Sequence, residues 1–190
     1  MPGKTSALTR KAILEAANRI VLEQGVDHLT LEAAAAAAGI SKGGLLYHFP
    51  NKEALIVGMI QAYLERFTAD YNTSAEKEPD QTPGRWTRAY LETTFADNER
   101  IPRLSSGLLA AIATDPSLLA PLQQTFADWV AQLSLDGIDP VTATIIRLVA
   151  DGVWLVELFG LTPPDAAMKA QVMEALLEMS RVRPAYARRS

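Results

Sequence analysis

A chain of 190 residues, 48% hydrophobic and 21% charged, is long enough to bury a substantial core and too apolar to be disordered throughout. The absence of cysteine excludes disulfides, thiolate metal sites and cysteine nucleophiles, and no uncharged apolar run reaches the roughly 18–20 residues of a membrane span. The net charge of −4 is unevenly spread: residues 1–52 hold six basic and four acidic residues and the remainder 12 and 18, so a polyanion suits the front end better than the body. The opening segment carries charges too often for a signal peptide, and a soluble cytoplasmic protein is expected.

Apolar positions recur near every 3.6 residues and no sustained period-two run suggests a strand, so the chain reads as all-α. Glycine, proline and polar breakers divide it into about nine helices, near 9–24, 31–38, 42–48, 52–71, 85–98, 102–113, 117–134, 140–159 and 164–180. Thr9 is expected to cap the first, whose buried face is Ile13, Ala17, Ile20 and Val21 and which ends at Gly25. Thr30 and Ser41 stand where the next two short helices need caps, and Asn51 where the fourth does. Their side-chain oxygens suit the unpaired N–H groups of a first turn.

Between the second and third helices Gly39-Ile40-Ser41 forms a tight turn. Two short helices joined by a three-residue turn containing glycine are the signature of a helix-turn-helix, whose second helix, here about 42–48, can lie in the DNA major groove. Ala34, Ala35 and Ala38 allow close helix packing, and Ile40, Leu45 and Phe49 supply an inner face. Lys42, Tyr47, His48 and Lys52 then project polar groups within about two turns, as phosphate contacts require. Capping alone accounts for Ser41, and a packed ring bonded to backbone is the ordinary reading of a histidine such as His48. The fourth helix carries Ile56, Met59, Ile60, Tyr63 and Phe67 at helical spacing, so it runs from the front end into the body, and the polar tract 72–84 after it reads as a surface loop.

Through Thr30, Ala35, Ala38-Gly39-Ile40-Ser41, Gly43, Leu45, Tyr47-His48-Phe49, Asn51-Lys52-Glu53 and Leu55 the chain resembles the N-terminal domain of the tetracycline repressor family of bacterial transcription regulators. The clear likeness covers about residues 9–60; beyond it the number and rhythm of helices agree. The resemblance implies a DNA-binding domain over residues 1–52 and an effector-binding and dimerisation domain over 53–190. It implies a homodimer whose paired recognition helices enter successive major grooves of a palindromic operator. Thr30, Tyr47, His48 and Lys52 would hold phosphates, with Ser41 at the same front, while Lys42, Gly43 and Gly44 would face the bases. In this setting the ring of His48 becomes a DNA contact. The chain also departs from the pattern: Leu46 stands where a tyrosine is common, and acidic Glu32 where some relatives place a base-reading arginine. Gly43 and Gly44 offer no side-chain hydrogen bonds, which leaves Lys42 as the direct reader of a guanine edge and gives DNA shape and phosphate contacts much of the recognition.

The helix near 141–159 is apolar almost all round, and the last helix has its own stripe of Met168, Val172, Leu176 and Met179 after Pro163-Pro164. One protomer can bury such stripes internally, but pairing both helices with their copies in a four-helix interface accounts better for the surplus, and it is where the family dimerises. The expected interface is Ile145, Val149, Val153, Val156, Met168, Val172, Leu176 and Met179. Aromatic residues gather in the middle of the body. Any one of them reads first as core, yet the family encloses an apolar effector there, and the expected lining is Tyr63, Phe67, Trp86, Tyr90, Leu108, Phe126, Trp129 and Trp154.

The resulting expectation is a ligand-responsive homodimeric repressor, without metal or cofactor, released from DNA by a small, largely apolar molecule. A helical protein-interaction adaptor is the alternative. A small helical enzyme fits less well, since two histidines and no cysteine give no ordinary metal-ligand or triad spacing.

Overall fold

The computed structural model describes residues 4–96 and 119–181. Among these residues the chain forms eight α-helices and no strand: α1 (Lys4–Gln24), α2 (Leu31–Ala37), α3 (Lys42–His48), α4 (Lys52–Ala75), α5 (Arg85–Ala96), α6 (Ala120–Ser134), α7 (Pro140–Phe159) and α8 (Ala166–Arg181). The helix expected at 102–113 lies outside the described residues. No described helix is long and apolar enough to cross a membrane. Two compact units divide the chain, with boundaries inside α4 between Glu65 and Arg66 and inside α6 between Gln124 and Thr125.

In the first unit, α1 begins at Lys4, so Thr9 lies inside the helix and does not cap it. The sequence from Lys4 to Thr9 contains no glycine or proline to stop the helix from extending backwards. At the other end Gly25 takes φ 91°, and a single 3-10 turn over Val26–His28 leads to α2. Ile13, Leu14, Ala17, Ile20, Leu29, Ala34, Leu45, Phe49, Leu55 and Met59 form the core of this unit. Gly39 adopts φ 69°, a left-handed conformation that costs a side-chain-bearing residue about 1–2 kcal/mol, and so lets the chain turn sharply from α2 to α3. Gly58 of α4 lies flush against the buried ring of Phe49, where an added Cβ would fall 2.5 Å from the ring edge.

In the second unit, α5 packs against α7 and α8. Asp136, in the loop before α7, reaches back to the start of α5. Its buried carboxylate accepts from Trp86 N at 3.0 Å, Thr87 N at 2.8 Å and the Thr87 hydroxyl at 2.7 Å, satisfying first-turn donors that would otherwise be orphaned. One turn later Arg88 donates to both oxygens of Glu78, at 2.7 and 2.5 Å, and to the carbonyl of Pro83 at 3.0 Å. This double hydrogen bond holds the Glu78 carboxyl below the usual glutamate range. Gly84 sits beneath the network with φ 81°, and a Cβ there would meet the Ser180 carbonyl at 2.9 Å.

Helix α7 starts as its sequence suggests, with Asp139 accepting from Thr142 N at 2.8 Å and Gly160 ending it at φ 63°. Helix α8 starts two residues later than the proline pair predicts. Asp165 accepts from Met168 N at 2.8 Å and caps it, leaving Pro163-Pro164 ahead of the helix.

Candidate functional site

Helices α2, α3 and α4 are each opened by a side chain that reaches the helix's own third residue. Thr30 Oγ1 accepts from Ala33 N at 3.0 Å, Ser41 Oγ from Gly44 N at 3.1 Å, and Asn51 Oδ1 from Ala54 N at 2.7 Å. The Ser41 oxygen is thus engaged as a cap. Leu45 and Phe49 anchor the inner face of α3, while Ser41, Lys42, Gly43 and Tyr47 are exposed and Gly44 half-buried. Tyr47 is 80% exposed, an unusual position for so large a ring. The half-buried ring of His48 meets it edge-on at 5.2 Å and lies 6.5 Å from Phe49. Lys52 is half-buried, its ammonium donating to the Val26 carbonyl at 3.5 Å, and so helps hold the 3-10 turn against the start of α4.

Lys42, expected to stand free before a base edge, is paired. Its Nζ lies 2.5 Å from a Glu32 oxygen, joining the first turn of α2 to the first turn of α3. The hydrogen bond from Lys42, reinforced by its charge, holds the Glu32 carboxyl below the usual range. Sequence reasoning treats Glu32 as a departure from a pattern and assigns it no partner. The signal available was two opposite charges at the openings of adjacent helices across a tight turn.

In the second unit, Phe67, Trp86, Tyr90, Phe126 and Trp129 of the expected effector lining are joined by ring contacts, four of them made by Trp129, and Tyr71, a residue that the expected lining omits, links Trp86 to the rest. Phe67 and Trp129 lie 4.7 Å apart, Phe126 and Trp129 5.1 Å, and Tyr71 and Trp86 5.1 Å. Tyr71 is fully inaccessible, and this burial, with the charge of Asp136, pushes its ionisation up; its hydroxyl makes no hydrogen bond. Trp154 is half-buried and its Nε1 is likewise unpartnered. Tyr63 is half-buried in the first unit, and Leu108 lies outside the described residues. A polar group borders the rings: the Tyr90 hydroxyl donates to Asp151 at 2.5 Å, and Arg147 donates to the other oxygen of Asp151 at 2.8 Å. An open cleft of about 400 Å³ lies between α4 and α5, but Arg66, Asp70, Ser74, Lys77, Glu92 and Thr93 make it polar.

Of the expected interface residues, Ile145, Val149, Met168 and Met179 are exposed, and Val153, Val156 and Val172 half-buried. Leu176, at 5% exposure, faces the protomer's own core. Val141, Leu148 and Leu155 add exposed apolar side chains that spacing alone did not single out. With Ile145 and Val149 they stripe α7, whose opposite side is buried through Ala143, Ile146 and Ala150.

Two capped short helices about a left-handed glycine, with an exposed polar outer face, make the front end a helix-turn-helix of the DNA-binding type. Residues 13–59 match the family described as bacterial regulatory proteins, tetR family, and residues 84–181 match the tetracyclin repressor-like C-terminal domain. The chain belongs to the tetR family of bacterial regulatory proteins, a family of regulators and not of enzymes. The HTH-type transcriptional regulator RutR of Escherichia coli K12 is 29% identical over 143 residues, 69% of this chain and 66% of RutR, so the match spans slightly under two thirds of that relative. The putative transcriptional regulator SCO7518 of Streptomyces coelicolor A3(2) shares the fold with a TM-score of 0.70 at 18% identity, over 92% of this chain and 99% of the other. The multidrug binding protein EbrR, solved with malachite green, gives a TM-score of 0.62 at 26% identity over 91% and 98% of the two chains.

Proposed function

We propose that this protein is a homodimeric transcriptional repressor of the bacterial cytoplasm that binds a palindromic operator through α3 and leaves it when a small, largely apolar effector binds the body. The exposed outer face of α3 carries the reading: an 80% exposed tyrosine beside an ion-paired lysine and two glycines has no use to the fold. Residues 1–52 then form the DNA-contacting part, with Thr30, Tyr47, His48 and Lys52 toward phosphates and Lys42, Gly43 and Gly44 toward bases. Residues 53–190 bind the effector and the second copy.

The exposed stripe of α7, with Met168 and Met179 of α8, suits a self-complementary two-fold interface. The aromatic cluster suits a flat, apolar effector, and the unpartnered Tyr71 hydroxyl and Trp154 Nε1 offer it two polar handles. EbrR, with its bound dye, supports that ligand class. Linkage requires that operator DNA weaken effector binding by the factor with which effector weakens operator binding.

Selection of sites from random-sequence DNA at fixed salt tests the reading. A palindrome should be enriched, and Tyr47→Ala should bind it at least about tenfold more weakly while melting like the parent, since hydrogen bonds to phosphate fix the register on DNA. If no sequence is enriched, by purified or by unfolded and refolded protein, the repressor assignment fails and the adaptor reading replaces it.

A further inference from the structure

The Glu32–Lys42 pair lies on the surface assigned to DNA, with 63% and 56% of its side chains open to solvent. Packing does not need it. Helices α2 and α3 are already held by the buried Ala34, Ala35 and Leu45, and Arg19 ties the end of α2 through the Ala37 carbonyl at 3.3 Å. Other cations of this unit have separate tasks: Lys52 on the Val26 carbonyl, and Arg10 over the ring of Phe49 at 5.4 Å. Lys42 is the cation that α3 itself carries, and it is met by an acid.

We propose that Glu32 is a specificity-determining residue that acts through Lys42, withholding the ammonium from phosphate while leaving it fit to read a guanine. The inference rests on the assignment of α3 to operator DNA. An ammonium has three donors; one is held by Glu32, and the other two match the O6 and N7 acceptors that guanine presents side by side in the major groove. Binding to arbitrary DNA is driven by neutralising phosphates and releasing their counterions. A lysine already neutralised contributes little to that release. The pair therefore penalises non-cognate DNA more than the operator.

The test compares the selected operator with a scrambled duplex of equal length across a salt series, for the full chain and for Glu32→Gln, Lys42→Met and the double variant. Glu32→Gln should bind scrambled DNA about fivefold more tightly, and the slope of log K against log salt should steepen by about 0.9 per protomer as Lys42 takes up a phosphate. Operator affinity should change less than about twofold, so the preference for operator falls several-fold. In the Lys42→Met background the same substitution should leave slope and preference unchanged. An unchanged or increased preference in Glu32→Gln overturns the proposal, as does an equal effect without Lys42, which would make the carboxylate a general repulsive charge. If the parent itself prefers neither duplex, the operator assignment fails and this inference with it.

Discussion

Two ion pairs, one in each unit, obey the same electrostatics to opposite ends. At the front, Lys42 and Glu32 are more than half exposed and water screens them, so the pair adds little to the stability of the fold. In the body, Arg88 and Glu78 are 7% and 31% exposed, and their pairing ties the loop before α5 to the helix itself. Asp151 shows the cost of that burial. Desolvation raises its carboxyl above the usual aspartate range despite the hydrogen bonds from Tyr90 and Arg147, whereas Glu32, which pays almost none, is lowered by a single lysine. The contribution of Asp151 to stability is therefore complete below the ordinary aspartate range and lost as pH rises through its raised value. The exposed pair of the front end does little for the fold, while the buried pair of the body helps hold it together.

The sharpest way to break this contrast is to delete one cation from each pair. Arg88→Met strands the Glu78 carboxylate and the Pro83 carbonyl and should cost about 3 kcal/mol, the low end for a buried pair because Glu78 still touches water. Lys42→Met should cost about 0.5 kcal/mol or less. Urea unfolding at neutral pH measures both, and equal losses would erase the distinction. The pH dependence checks the mechanism. Glu78 is held below its ordinary range, so the pair's stabilisation is present above that range and fades as pH falls through the lowered value, and the deficit of Arg88→Met should shrink in acid.

A smaller effect tests whether the front end is as firmly packed inside as it is open outside. Gly58→Ala gains about 1 kcal/mol of helix propensity but forces a methyl into the buried ring of Phe49, an overpacking worth about 2 kcal/mol, so the protein should lose about 1 kcal/mol. A thermal melt at or above the parent's would show that Phe49 can move aside, and that α4 grips the recognition motif less tightly than its packing indicates.

The contrast extends to what was legible in the sequence. The front end was readable because its determinants are local: Thr30, Ser41 and Asn51 each bond to the N–H three residues on, and Gly39 turns the chain where it stands. The body's determinants are distant. Asp136 caps α5 across 49 and 50 residues, and no pattern within a helix announces it. Spacing put Leu176 on the same stripe as Met168 and Met179, yet it turns inward, because a helix with neighbours on two sides has no single apolar face. Tyr71 escaped the expected effector lining because its place against Trp86, Tyr90 and Trp129 comes from α5 and α6 packing about it. The Glu32–Lys42 pair escaped for a milder version of the same reason, since it depends on how two helices meet across a turn.

The smallest expected effect separates the two purposes most cleanly. Gly43 lies in the first turn of α3, and a Cβ there would approach nothing nearer than Ser41 Oγ at 4.0 Å, whereas one on Gly44 would crowd that capping oxygen at 3.3 Å. Gly43→Ala should therefore stabilise the protein by about 0.5 kcal/mol, through helix propensity and a less flexible unfolded chain. If Gly43 is retained so that backbone can come close to base edges, the same methyl should weaken operator binding several-fold, since it stands where the groove wall would be. Stability and affinity would then move in opposite directions on a single methyl group, which a merely structural glycine cannot produce. Operator affinity equal to the parent's in a stabilised Gly43→Ala would remove the glycine from the reading surface and leave Lys42, held by Glu32, as the residue of α3 to which base recognition falls.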